Sequence, residues 1–235
     1  MDNEIRFIYI YKFADGTSKH FDLRLAQSNL RLLARQPADL PLWALLTYEK
    51  CENCPLNEKE HAYCPIAANL AGVVEEFRNF LSHEKVSVTV VCEERIYGKE
   101  TTVQGGLSPL LGIIMTTSGC PVMEQLKPMV RFHLPFASLD ETIFRGVAMY
   151  LLAQYFRQQE GKPASWSLEG LPPIYTEVGM VNRDFAKRMR AAAKKDANVN
   201  ALVNLDVFAS MMQFAAEDTL NRLKPYYQAL IDRRL

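Results

Sequence analysis

The chain has 235 residues, 49% of them hydrophobic, and its 27 Lys and Arg residues balance 27 Asp and Glu residues. This length can bury a core without disulfide bonds, and the apolar fraction excludes a disordered chain. A formal charge of zero argues against nucleic acid as a partner, so any anionic partner must meet a local basic patch. The acidic start does not resemble a signal peptide, and no apolar tract reaches the roughly 20 residues of a membrane span. We therefore expect a cytoplasmic protein without a membrane segment.

The first half of the sequence predicts two β-hairpins and one helix. Polar and apolar residues alternate over 4–13, and an Asp-Gly pair separates this run from 17–25, which is a strong hairpin signal. Residues 66–82 carry apolar side chains at helical spacing, and residues 86–104 pair two β-branched runs across a polar turn. The segment 42–50 fits either a third strand or a short helix.

The second half predicts helices only. Apolar residues recur at helical spacing over 140–160, and two further helices are expected over 174–195 and 199–223. The sequence therefore predicts an α+β fold in which the N-terminal hairpins form a sheet with a packed helix and the C-terminal half is mostly helical. No flexible polar linker separates the strand-rich part, 1–105, from the helical part, 106–235, so we expect one domain over all 235 residues.

Three of the five cysteines lie close together in the run CENCPLNEKEHAYCP, at Cys51, Cys54 and Cys64. A reducing cytoplasm keeps thiols free, which favours metal binding over disulfide bonds. A Cys-x2-Cys turn lets two sulfurs converge on one ion, and a third thiolate further along can close over it. Either His61 or Cys120 would supply the fourth ligand. The pattern predicts a cysteine-ligated metal site, with Zn²⁺ ahead of an iron–sulfur cluster.

The number and type of ligands decide what such a site can do. Four protein ligands would close a zinc site and make it structural or regulatory, whereas three would leave an open position where water is activated. Pro follows Cys54, Cys64 and Cys120, and Cys-Pro also occurs at a ligand position in bacterial ferredoxins, so an iron–sulfur cluster is the alternative. Cys92 lies within a β-branched run, and we interpret it as a small buried residue of a strand.

A second hypothesis is an enzyme that uses either the open metal position or a thiol. In the segment TTSGCPVMEQLKPMVRFHLPF, Cys120 and His133 would form a thiolate nucleophile if they met in space, with Asp140 or Glu141 orienting the imidazole. If this segment is extended, Arg131 and His133 point to the same side. The simpler interpretation makes His133 a hydrogen-bonded core or boundary residue. The preceding QGGLSPLLG lacks a phosphate-binding motif and is interpreted as a loop that enters a helix.

A third hypothesis is a metal-free interaction module. Arg183, Lys187, Arg190 and Lys194 follow one another at steps of four, three and four, which places them on one face of a helix. Such a basic stripe can bind phosphate or an acidic protein surface. A solvated helix face is the simpler interpretation, because the chain as a whole carries no net charge.

The runs CENCPL, YCPIAANL, TTSGCP, PMVRFHLPF and YLLAQYF together resemble those of a bacterial family described only as a domain of unknown function. The resemblance extends over most of the chain. It implies a stand-alone cytoplasmic bacterial protein in which Cys51, Cys54, Cys64, Cys120 and His133 occupy motif positions. It implies no activity, substrate or cofactor, so it supports the choice of residues without assigning them a role.

Overall fold

The structure is a computed structural model that describes residues 4–33, 39–192 and 194–233. The chain divides into two compact units. Unit 1 comprises Met1–Phe136 and Glu177–Asp206, and unit 2 comprises Ala137–Thr176 and Val207–Leu235. The fold is α+β as predicted, with the sheet in the N-terminal half and most helices in the C-terminal half. The single domain over the whole chain stays a prediction.

The two predicted hairpins pair with each other in unit 1 to form one antiparallel sheet, in the order β2-β1-β3-β4. The strands are β1 Glu4–Phe13, β2 Ser18–Ala26, β3 Lys85–Val91 and β4 Ile96–Thr102. Gly16, in the first turn, has a φ of +84°, a conformation that favours glycine. Because strand side chains alternate between faces, Tyr9 and Tyr11 of β1 are buried while Arg6 is exposed.

Helices follow and connect these strands. Their bounds are α1 Pro65–Phe77, α2 Val103–Thr117, α3 Lys127–Arg131, α4 Leu139–Gln159, α5 Leu171–Ala192, α6 Ala197–Phe214, α7 Ala216–Leu223 and α8 Gln228–Ile231, with 3-10 turns at Leu42–Ala44, Met123–Leu126 and Lys224–Tyr227. The segment 42–50 therefore contains the short helix of the two predicted alternatives. Helix α1 ends at Phe77, before the predicted residue 82, and the chain then turns so that Ser82 bonds the Asp196 carboxylate at 2.8 and 2.9 Å.

Helix α2 begins earlier than the sequence predicts. The Thr102 side chain accepts a hydrogen bond from the Gly105 N–H at 3.3 Å and caps the helix, so the run interpreted as an entering loop is helical, glycines included. Packing explains why residue 106 is a glycine, because a Cβ there would lie 2.8 Å from Val88 Cγ2 and 3.1 Å from Tyr11 Cε1. The glycine lets α2 approach the sheet closely.

Two predictions for individual residues are wrong in detail. Cys92 lies one residue past the end of β3 and is half-buried. The strand ends there because the Cys92 N–H donates to the Arg95 carbonyl at 2.8 Å and closes the turn. Arg131 ends helix α3 instead of lying in an extended segment, so it does not share a strand face with His133. Short-range hydrogen bonding decided both outcomes.

Unit 2 is helical. Helix α4 begins with the reciprocal hydrogen bonds of a capping box between Ser138 and Glu141, and the chain leaves the helix through Gly161 at a φ of +68°. Asp140 accepts a hydrogen bond from Arg222 at 2.8 Å, which links α4 to α7. Large apolar side chains of α4, including Phe156, are exposed.

The helix predicted over 199–223 is two helices, α6 and α7, separated at Ala215. The Ala215 N–H still bonds the Met211 carbonyl at 2.8 Å, but α7 starts in a new direction. Within the described residues, no single helix is long and apolar enough to cross a membrane. The pair Ala197–Met212 and Ala216–Ile231, bent by 70°, meets that criterion only jointly and only by length and composition.

Candidate thiolate site

The turn between Cys51 and Cys54 is held at three points in unit 1. The Cys54 N–H donates to the Cys51 carbonyl at 3.0 Å and closes the turn. The Glu52 N–H donates to the Asp184 carboxylate at 3.0 Å, and the Asn53 side-chain amide donates to the Glu177 carbonyl at 3.0 Å. Asp184 and Glu177 both belong to α5, so this helix fixes the position of the Cys-x2-Cys turn.

Cys64 and Cys120 occupy matching positions, each at the start of a helical turn and each followed by Pro. The Cys64 carbonyl accepts the Ala68 N–H at 2.9 Å as α1 begins, and the Cys120 carbonyl accepts the Glu124 N–H at 3.0 Å as the next 3-10 turn begins. Pro is favoured at the first helical position because its fixed φ is preorganised for a helix. Both thiols are buried, with 7% and 8% of the residue exposed. Pro65 occupies the first helical position in α1, and Pro121 lies just ahead of the 3-10 turn that begins at Met123, so the similarity between the two sites lies in the role of the Cys carbonyl.

Backbone N–H groups act on both buried sulfurs. The N–H groups of Ile66 and Ala67 lower the pKa of Cys64, and those of Val122 and Met123 lower the pKa of Cys120. Their influence is outweighed by burial, which raises the pKa of Cys64 and takes that of Cys120 to about 11. N–H groups that converge on sulfur favour its thiolate form, and hydrogen bonds of this kind tune sulfur-ligated centres.

We call Cys51, Cys54, Cys64 and Cys120 the cysteine cluster, because each thiol lies within electrostatic reach of the other three. Burial raises the pKa of Cys51 to about 12, and negative charge on Cys64, Cys120 or Cys54 would raise it further. Charge on Cys54 likewise acts on Cys64, and charge on Cys64 or Cys54 acts on Cys120. The fold therefore places Cys120 within electrostatic reach of the three cysteines of the sequence run, although it is more than 50 residues away in the chain.

The other predicted ligand, His61, is exposed in the loop before Cys64. Over residues 4–33, 39–192 and 194–233, no three side chains of His, Cys, Asp or Glu are arranged to hold a metal ion as they stand. All five cysteines are free thiols. The metal site predicted from sequence is therefore not a finding of the structure.

Arg188 is a residue that sequence reasoning missed. It is 1% exposed, and its guanidinium donates to the carbonyls of Trp43, Leu45, Leu46 and Glu49 at 2.7, 2.6, 3.4 and 3.2 Å. Its positive charge lowers the pKa of Cys64. One signal was available in the sequence: Arg188 falls on the apolar stripe of α5 that includes the buried Val181 and Phe185.

Asp184 brings a negative charge to the same region. Burial would raise its pKa, but hydrogen bonds from the Lys187 ammonium at 2.7 Å and the Glu52 N–H hold that pKa below its ordinary value. The Asp184 charge in turn raises the pKa of Cys51. The cysteine cluster thus has one fixed positive and one fixed negative neighbour on α5.

His133, the predicted partner of Cys120, has a hydrogen bond elsewhere. Its Nε2 lies 2.6 Å from the Tyr9 hydroxyl, and its ring meets the edge of Phe7 at 5.4 Å. This matches the simpler interpretation of a hydrogen-bonded boundary residue. The thiolate pair stays a prediction, and a pKa of about 11 counts against it because Cys120 is then protonated at neutral pH.

The predicted basic stripe lies along α5 and just beyond it. Arg183 pairs with Asp206 at 3.3 Å and Lys187 with Asp184 at 2.7 Å, while Arg190 and Lys194 are exposed. Two of its four charges are thus engaged within unit 1. Binding of a protein or anionic partner through this stripe stays a prediction.

Comparison with known proteins identifies the family but not the activity. No curated protein and no solved structure matches the chain. A family model described as "Domain of unknown function (DUF6901)" matches residues 7–228, nearly the whole length. The resemblance to an uncharacterised family is therefore confirmed, although the match does not address the motif residues. The chain belongs to the family described as domain of unknown function DUF6901.

Proposed function

We propose that the cysteine cluster binds a metal as four thiolates and that the metal braces unit 1. The observation that carries the proposal is that Cys120, Cys51, Cys54 and Cys64 all lie within electrostatic reach of one another. Four sulfur ligands suit Zn²⁺ or an iron–sulfur cluster, and zinc is our first choice. We therefore name Cys120, and not the exposed His61, as the fourth ligand.

The local structure supports binding in three ways. The Cys51–Cys54 turn is anchored to α5, so two ligands are held in place before a metal arrives. Cys64 and Cys120 each receive two backbone N–H groups that favour the thiolate. All four cysteines are free thiols, so each can lose its proton and ligate a cation, which then draws the thiolates together.

A four-thiolate centre would act as a cross-link. Its ligands come from the 51–54 turn, the start of α1 and the segment after α2, which are far apart in the chain. A zinc ion with four protein ligands has no open position for substrate, so its contribution is to stability and to the shape of the surrounding surface. The proposed role is therefore structural or regulatory.

The test is metal analysis of protein purified without oxygen or chelator, together with a visible absorption spectrum. We expect one zinc per chain and no colour; iron, sulfide and a broad visible band would assign the iron–sulfur alternative. Cys51→Ser combined with Cys54→Ser should abolish the metal. Cys92→Ser is the matched control, because Cys92 lies at the end of β3 and should leave the metal content unchanged.

Two further variants identify the fourth ligand. Cys120→Ser should lower the metal content or affinity strongly, whereas His61→Ala should leave both unchanged. The opposite result would assign His61 and leave Cys120 as a buried thiol. If wild-type protein holds no metal after incubation with zinc under reducing conditions, the proposal is wrong.

A further inference from the structure

The charge on Arg188 is unusual because it is buried without a partner of opposite charge. Among the described residues, the guanidinium forms no salt bridge, and its Nε–H has no hydrogen-bond acceptor. Its hydrogen bonds go to four backbone carbonyls, which carry only partial negative charge, and its Cζ lies 6.0 Å from the centre of the Tyr48 ring, a cation–π contact without full charge. Burying a full charge without a negatively charged partner costs free energy, and an anionic neighbour would offset that cost.

The same backbone stretch contacts both Arg188 and a cysteine of the cluster. Arg188 donates to the carbonyls of Trp43 and Leu45, and the carbonyl between them, that of Ala44, accepts the Cys64 N–H at 2.9 Å. Residues 43–45 therefore hold the guanidinium and Cys64 in a fixed relation.

A loaded cysteine cluster would carry net negative charge. Four thiolates bring twice the negative charge that one zinc ion neutralises, and Asp184 adds to it. Burial of that excess requires a counter-charge nearby. We infer that Arg188 is the counter-charge of the proposed thiolate centre and that it strengthens metal binding without being a ligand. This inference rests on the proposed function and adds a positioning residue to it.

A purely structural role for Arg188 would give a different result. The guanidinium also ties residues 43–49 to α5, so removing it disturbs that stretch whether or not its charge matters. Arg188→Gln and Arg188→Lys both lose the planar set of guanidinium N–H donors, but only Arg188→Gln loses the positive charge. Rescue by Lys therefore separates charge from hydrogen bonding. Arg190→Gln, on an exposed residue of the same helix, is the matched control for loss of charge.

The experiment is a competition titration of zinc between a coloured chelator and the reduced protein. We expect Arg188→Gln to weaken zinc binding about 10- to 100-fold, the range typical of groups that support metal ligands. Arg188→Lys should recover most of the affinity, and Arg190→Gln should match wild type. Equal losses in the Gln and Lys variants, or no loss in either, would overturn the inference.

A second variant keeps the test decisive if both Arg188 variants fail to fold. Asp184→Asn removes the negative neighbour of Cys51 while keeping an oxygen that can accept the Glu52 N–H. If the charge balance at the thiolate centre controls affinity, Asp184→Asn should bind zinc roughly three- to tenfold more tightly than wild type. Unchanged or weaker binding would overturn the inference. If wild-type protein binds no zinc, both the proposed function and this inference fail. If wild type binds and the variants do not behave as stated, only the inference fails.

Discussion

Two of the places where unit 1 buries polar groups satisfy them in different ways. Beside the sheet, Tyr9 is fully buried and its hydroxyl lies 2.6 Å from His133, so two polar side chains complete each other. At the cysteine cluster, the buried thiol of Cys64 has a raised pKa and lies within reach of a guanidinium that has no carboxylate partner among the described residues.

This difference separates a structural polar contact from a candidate binding site. A buried pair that is satisfied within the chain needs nothing further, and it contributes to a unique packing. A cluster of thiols beside a buried positive charge gains partial charge compensation when the thiols ionise, and a metal cation promotes that ionisation. The following predictions test whether the two regions respond as differently as their chemistry implies.

Removal of metal should have the largest effect on stability, and this effect should require the cysteines of the cluster. Treating wild-type protein with a strong chelator should lower the free energy of unfolding by about 4 kcal/mol, the linkage value when free metal exceeds the dissociation constant 1,000-fold. The check is denaturant unfolding before and after chelation. The Cys51→Ser, Cys54→Ser double variant should show no difference, and a chelator effect of equal size in that variant would contradict the site.

The pH dependence of stability should change sign with metal. In metal-free protein, the raised pKa values of Cys51 and Cys120 mean that the folded thiols stay protonated while unfolded thiols ionise near their ordinary value of about 8.5. The contribution of these two thiols to the free energy of unfolding is therefore fully present below about pH 8.5, and it is lost as the pH rises toward their folded pKa values of about 11 and 12. Metal-bound thiolates behave oppositely, because acid must reprotonate them.

This sign change can be measured by unfolding at intervals from pH 6 to 9.5, which stays below the ordinary tyrosine range. We expect the metal-free protein to lose stability above about pH 8.5 and the zinc-bound protein to lose it toward pH 6. Parallel curves for the two forms would show that the thiols do not bind the metal. Cys92→Ser should preserve the reversal.

Packing beside the sheet should be sensitive to one glycine and insensitive to another. Gly106→Ala places a Cβ against Val88 and Tyr11 and should destabilise the protein by about 1–3 kcal/mol. Gly72→Ala, the matched control in α1, meets nothing within 4 Å and should stabilise by about 0.5–1 kcal/mol, because alanine favours a helix. Thermal unfolding compares the two variants, and a shift of the same sign in both would refute the packing argument.

Loss of the Tyr9 hydroxyl should have the smallest effect. Tyr9→Phe removes the hydrogen bond to His133 and should cost about 1 kcal/mol of stability while leaving metal content unchanged. Tyr226→Phe is the control, since Tyr226 is 81% exposed and should show no change. Denaturant unfolding with metal analysis checks both variants, and altered metal binding in Tyr9→Phe would join the two regions that we treat as separate.

Local patterns in the sequence predicted most elements of the fold. The Asp-Gly turn and its flanking alternation specified the first hairpin, and the apolar spacing over 140–160 specified α4. Errors occurred where one hydrogen bond shifted a boundary, as when Thr102 capped α2 ahead of its glycines. A helix cap of this kind stabilises a helix by about 1 kcal/mol. That is enough to decide where the helix begins, but a single capping residue leaves only a weak signal in the sequence.

The candidate site depended more on tertiary structure. The sequence by itself determined that Cys51 and Cys54 are neighbours, because two intervening residues limit how far apart they can lie, and it predicted that Cys64 joins them. Only the fold brought Cys120 to them, buried Arg188 beside Cys64, and paired His133 with Tyr9. These juxtapositions join segments far apart in the chain, and they follow from the packing of α5 and the sheet, which no local spacing encodes.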